Sequence, residues 1–149
     1  MGVMEQLVYM RRYRWARELM LLYGLDVPAQ VQIGTGLQLQ HRAMGTVLHP
    51  ETSIGNDVTI YHQVTIGRAD AHVPRADSPM EGIEIADRAI LYPGVKVLGG
   101  PGITRLGEGS ILAANAVLTR STSDWEIWAG VPAKKVGERD GATERERHA

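Results

Sequence analysis

Residues 54–67 read Ile54-Gly55-Asn56-Asp57-Val58-Thr59-Ile60-Tyr61-His62-Gln63-Val64-Thr65-Ile66-Gly67. The large aliphatics Ile54, Ile60 and Ile66 recur every six residues, a period that suits neither a helix nor an ordinary alternating strand. Four residues after Ile54 and Ile60 stand Val58 and Val64, and Gly follows Ile54 and Ile66 directly. Each such unit supplies one short strand and one tight corner, and three units, about 18 residues, close a triangular coil on which the next coil stacks as parallel sheet. The aliphatic fills the prism, the smaller residue fits beside a corner, and Gly or Asn accepts positive φ in the turn. An all-β solenoid follows.

Working outward, the same spacing links Val27, Ile33 and Leu39, then Leu48 to the central run, then Ile85, Leu91 and Val97, then Leu106, Leu112 and Leu118. The register breaks are equally informative. Nine residues separate Leu39 from Leu48 and Val97 from Leu106, enlarging two corners, and nineteen separate Ile66 from Ile85. The last gap predicts a loop over roughly residues 68–82 thrown out from the prism, the kind of place where sites form.

Ahead of the repeat, Met4 to Tyr23 lack Gly and Pro and set Leu7, Met10, Trp15, Leu19 and Leu22 near helical spacing. One amphipathic helix is expected within residues 1–24, packed on the body, with a basic helix lying on a membrane surface as the alternative. The solenoid occupies residues 25–137 and a polar, frayed tail residues 138–149. The helix and the segment Ala129–Gly137 are the natural covers for the open ends of a parallel column.

Composition narrows the function. The chain has 149 residues, 44% of them apolar, with 16 Lys and Arg against 17 Asp and Glu. That is one domain with no basic field, so no nucleic-acid partner is expected. The absence of Cys excludes disulfides, thiolate zinc sites and a cysteinyl intermediate. Leu19 to Tyr23 is too short an apolar run for an export signal or a membrane span, so a cytoplasmic protein is expected.

Among candidate chemical groups, His41 lies at the first enlarged corner, where a side chain can leave the prism. Asp26 precedes it by fifteen residues. With coils of about 18 residues, residue 44 would stack over Asp26 and His41 would fall just short, so the two can meet as a base and its orienting carboxylate. A plain surface pair remains the alternative. His49 and His62 suit turn histidines that are solvated or in subunit contacts. His72, with Arg68 and Arg75 on the long loop, can hold a carboxylate or phosphate, against the alternative of a mobile polar loop. The three-histidine zinc site of gamma-class carbonic anhydrases does not fit, because His62 and His72 are ten apart across an insertion. No metal is expected.

Asp26-Val27-Pro28 through Ile33-Gly34, Leu39-Gln40-His41, the central stretch 54–67, and Ala129-Gly130-Val131-Pro132-Ala133-Lys134 resemble serine acetyltransferase, over about residues 26–137. The resemblance implies a left-handed parallel β-helix of hexapeptide repeats, working as a trimer or a dimer of trimers. It implies acetyl-CoA as co-substrate and the L-serine hydroxyl as acceptor, in cysteine biosynthesis. It assigns His41 as the base and Asp26 as its partner. It places Gly67, Pro93, Gly94, Ala114 and Lys134 along CoA, with Lys134 and Lys135 meeting phosphate charge.

Departures accompany the likeness. Gln40 stands where the family has an Asp that helps bind the serine amino group. Glu81-Gly82-Ile83 stands where the family has Arg-His-Pro, leaving His72 with Arg75 or Arg68 to complete the acceptor site. One helix in place of a large helical region implies a homotrimer. The ending Arg147-His148-Ala149 lacks the family's terminal Ile, so no complex with cysteine synthase is expected. The expected function is serine O-acetyltransferase. The alternatives are a sugar or other small-hydroxyl acetyltransferase, a non-catalytic trimeric scaffold, and a metal-dependent hydratase.

Overall fold

The computed structural model describes residues 1–141. The end of the predicted tail, including Arg147-His148-Ala149, lies outside the described residues. From Gln32 onward the chain winds into a left-handed parallel β-helix with three sides. The first side stacks Gln32–Ile33, Thr52–Ile54, Met80–Ile85 and Gly102–Leu106; the third stacks Val47–Leu48, Thr65–Arg68, Lys96–Gly99 and Val117–Leu118. The second side stacks Gln38–Leu39, Thr59–Ile60, Ile90–Leu91, Ile111–Leu112 and Glu126–Ala129, and Lys134–Glu138 adds antiparallel to its last member.

The period-six aliphatics build the core as expected. Ile54, Ile85 and Leu106 fill the prism from the first side, Ile60, Leu91 and Leu112 from the second, and Leu48, Ile66, Val97 and Leu118 from the third; all are buried. Winding against the usual right-handed crossover is possible because no helix connects the strands. The tight corners are made by residues in the left-handed region: Gly36, Asp57, Arg88 and Gly109 on one edge, Arg42, Gln63, Gly94 and Asn115 on the next. Side-chain oxygens knit rungs together at the first of these edges. Asn56 Oδ1 accepts from the Thr35 N–H (2.9 Å), and Asp87 Oδ1 from the Asn56 N–H (2.8 Å).

Most coils are longer than 18 residues, the last one, from Leu112 to Trp128, being shorter at 16. Ile33 pairs with Ile54, Leu39 with Ile60 and Leu91 with Leu112, each 21 residues apart. Only Leu48 to Ile66 keeps 18, and Ile54 to Ile85, Ile60 to Leu91 and Ile66 to Val97 each take 31 across the loop. The three extra residues at an enlarged corner therefore lengthen most turns of the prism.

The N-terminal segment forms two helices instead of one, α1 (Val3–Tyr9) and α2 (Arg14–Leu21). Val8 and Met20, both buried, would stand about 120° apart around a single straight axis. The break at residues 10–13 lets both reach the body. Arg11 in that break is buried, its Nε donating to the Val31 carbonyl (2.9 Å) and its Nη1 to the Val8 carbonyl (3.1 Å), while Arg17 donates to the Arg11 carbonyl (2.7 Å). The face expected to be buried is largely exposed: Met10, Trp15, Leu19 and Leu22 point outward, and Met4, Val8, Ala16 and Met20 take their place.

At the other end, Trp128 closes the prism. Its Nε1 donates to Glu126 Oε2 (2.9 Å), which also accepts from the Ser123 N–H (2.9 Å), and Lys135 Nζ lies 3.0 Å from Oε1. Burial pushes the Glu126 carboxyl up, but hydrogen bonds from Trp128, Lys135 and Ser123, with the Lys135 charge, outweigh it and hold the group below its ordinary value. A carboxyl depressed in the folded state stabilises at pH above its unfolded value of about 4.3, and that contribution is lost as pH falls through the folded value. Glu126→Gln should therefore flatten the acid side of the Tm-against-pH curve, read by Trp fluorescence. An unchanged slope would contradict this role.

Candidate active site

The pairing Leu39–Ile60–Leu91–Leu112 fixes which corner residues share a column. Two residues beyond each stand His41, His62, Pro93 and Ala114, on rungs about 4.8 Å apart. His41, Arg42 and Ala43 occupy the left-handed region consecutively, at φ 53°, 59° and 49°. For residues with a Cβ this conformation costs about 1–2 kcal/mol each. The neighbouring coil over-determines it. Ala43 is fully buried, the Gln63 N–H donates to the Met44 carbonyl (2.8 Å), and Thr46 Oγ1 donates to the Tyr61 carbonyl and accepts from the Val64 N–H. The outcome is an exposed imidazole on a fixed ledge.

The immediate neighbours of His41 are aromatic. The His62 ring stands perpendicular to it, centroids 5.3 Å apart and planes at 88°, and Tyr61 lies at 6.3 Å. Tyr61 in turn stacks on Tyr92 at 5.1 Å with an interplanar angle of 8°. His62 Nδ1 is buried without a hydrogen-bond partner. Beside His41, a cavity of about 670 Å³ opens between the helices and the first coil, lined by Leu7, Leu19, Tyr23, Leu39, His41 and Arg42 among others. The Arg42 guanidinium sits 5.5 Å above the Tyr23 ring, and Gln40, half-buried, opens the turn that carries His41.

Asp26 is placed differently from the sequence expectation. Its rung partner is Val47, not residue 44, because the enlarged corner shifts the register by three. Its N–H donates to the Thr46 carbonyl (2.9 Å) and its carbonyl accepts from the Leu48 N–H (3.0 Å). Its side chain is exposed, and among the described residues no hydrogen bond or ion pair joins it to His41.

The loop after Arg68 leaves from another corner and is fastened down. Arg75 grips Glu51 through Nε and Nη2, both hydrogen bonds at 2.8 Å, and donates to the Met80 carbonyl (3.0 Å). Arg68 donates to the Val73 carbonyl (2.8 Å). His72 is exposed on this loop. His49 sits beside Glu51, and burial, reinforced by the charges of Arg68 and Arg75 and opposed by Glu51, lowers its pKa. The structure thus groups Arg75 with Glu51 and His49, and brings His62 rather than His72 to His41.

The residues expected along CoA divide in two. Pro93 and Ala114 continue the corner column above His41 and His62, and Gly94 lies beside Pro93 in the column of Arg42, Gln63 and Asn115. Gly94 suits its place, since at φ 75° a Cβ would be strained and would displace the Asn115 side chain, whose Oδ1 would lie 2.1 Å away. Gly67 lies on the third side opposite Leu98, with open space where a side chain would start. Lys134 is exposed at the start of the last strand, paired with Ala129, whereas Lys135 is engaged by Glu126 and Glu138. No cluster of three or more His, Asp or Glu able to hold a metal occurs among the described residues.

A serine acetyltransferase of Mycobacterium tuberculosis (strain H37Rv) is 35% identical to this chain over 118 residues, which make up 79% of this chain and 48% of that protein. This chain is a homologue of the serine acetyltransferases. The crystal structure of serine acetyltransferase from Brucella abortus superposes with a TM-score of 0.70 at 26% identity, covering 92% of this chain and 54% of that one. That of Neisseria gonorrhoeae serine acetyltransferase in complex with serine gives 0.70 at 25%, covering 90% and 52%. No protein-family profile matches the chain. The chain spans about half the length of the curated serine acetyltransferases it matches.

Proposed function

We propose that this chain transfers the acetyl group of acetyl-CoA to the hydroxyl of L-serine. The observation that carries the reading is His41, held exposed on a strained ledge in line with Pro93 and Ala114, within the stretch homologous to serine acetyltransferases. A His41 ring nitrogen takes the hydroxyl proton as the serine oxygen attacks the thioester carbonyl carbon. The tetrahedral adduct collapses with C–S cleavage, and the CoA sulfur recovers a proton from the imidazolium, leaving O-acetyl-L-serine and CoA. The chain has no Cys, in keeping with direct transfer. Asp26, on the adjoining rung, supplies negative charge toward the imidazolium. Pantetheine runs along the column where Pro93, Gly94 and Ala114 present little side chain, Gly67 leaves the third side open, and Lys134 faces phosphate.

Serine as acceptor is supported by the gonococcal relative, crystallised with serine. Gln40, in place of an acid beside the base, favours a second reading in which a sugar or other small alcohol is the acceptor. A homotrimer suits a three-sided prism with flat faces. His72 and Arg75 complete the acceptor pocket only if the loop of a neighbouring subunit supplies them. No helix among the described residues is long and apolar enough to cross a membrane, and a cytoplasmic setting is proposed. Thiol release from acetyl-CoA, measured with L-serine and with a panel of sugars, tests the reading. Turnover with serine above every sugar is expected, and no turnover with serine ends it.

A further inference from the structure

We propose that His62 is the positioning residue of the base, a ring that holds the His41 imidazole in its working orientation. The inference rests on His41 being the base, and it adds a residue that homology to the family does not assign. The His41 ring needs support, for it stands exposed on three consecutive left-handed residues and makes no hydrogen bond among the described residues. A side chain so placed turns about its χ angles unless something packs on it. The group that packs is His62, at 5.3 Å and 88°, the edge-to-face geometry favoured between rings.

His62 is itself held. It sits 21 residues after His41, at the same step beyond a paired aliphatic, so the coil register stacks the two directly. Its carbonyl accepts from the Gly94 N–H (3.1 Å), tying the corner to the coil above. Its predecessor Tyr61 is pressed against Tyr92. Its Nδ1 faces the interior with no partner. A buried nitrogen without a partner is a standing penalty, and an apolar ring of similar shape would avoid it. The contact with His41 is made by the ring, so the positioning role requires a flat ring at this place and not that nitrogen.

The experiment uses the full chain with acetyl-CoA and L-serine. His62→Ala is expected to lower kcat by about 10- to 100-fold while both KM values stay within about threefold, since a displaced base harms the chemical step and not ground-state binding. His62→Phe restores most of the lost kcat and melts no lower than the parent, because it keeps the ring and removes the unpaired nitrogen. Independently of activity, the His41 ring proton resonances should lose their ring-current displacement in His62→Ala and keep it in His62→Phe.

Three outcomes overturn the inference. His62→Ala leaves kcat within twofold, or it raises only the serine KM, or His62→Phe is as slow as His62→Ala, which would make His62 a proton carrier. His41→Ala separates the two levels of argument: if it keeps full turnover, the reading of the base fails. If His41→Ala is inactive while His62→Ala behaves as the parent, only the positioning role fails.

Discussion

His41→Ala is expected to lower turnover of acetyl-CoA with serine by about 10²-fold or more, the usual consequence of removing a general base. The side chain is exposed and makes no hydrogen bond, so the fold should be unaffected and the melting temperature unchanged within a few degrees. Replacement by a residue with a Cβ leaves the left-handed backbone as it is, so the loss reports on the imidazole alone. A non-catalytic scaffold predicts the reverse, with no measurable change in anything but the ring. Free-thiol detection against a heat-killed control separates the two: a parent chain without turnover would end the enzyme reading, and full activity in the variant would end the assignment of His41 as the base.

The second large effect falls on stability. Leu91 is fully buried in the middle of the second side, with Ile60 below it and Leu112 above. Leu91→Ala removes its share of burial and leaves a cavity between rungs that the stacked backbones cannot close, at a cost of about 2–5 kcal/mol. For a chain of this size the melting temperature should fall by roughly 5–15 °C. Every rung depends on its neighbours for burial, so the loss is cooperative along the column. A fall of less than about 2 °C would mean that the prism relaxes around the gap.

The period of six made the solenoid legible, because a position that must fill a triangular interior admits little besides Ile, Leu and Val. Ile54, Ile60, Ile66, Leu91 and Leu112 all stand where the spacing puts them. The hand of the coil was not in that pattern; it came with the likeness to a family. The enlarged corners were visible as nine-residue steps, yet their effect on stacking is geometric. Counting 18 residues per coil sends Asp26 under residue 44, whereas 21 sends it under Val47 and sends His41 under His62. The same interval in the sequence, 41 to 62, would have found the histidine pair. The helical segment misled for another reason. Its apolar residues lie on nearly every side, so no periodicity marks the break, and only Arg11 reaching the Val31 carbonyl shows why the chain turns there.

The reversed strand Lys134–Glu138 has a meaning for the molecule in a crowded cell. A ladder whose rungs all run one way offers its last edge as a template, and a second molecule arriving head to tail would simply continue the pattern. Laying one rung backwards on that edge, with the exposed Lys134 at its start, presents a mismatched direction and a charged side chain to any newcomer. On the second side of the prism, end-to-end continuation by another column is thereby disfavoured.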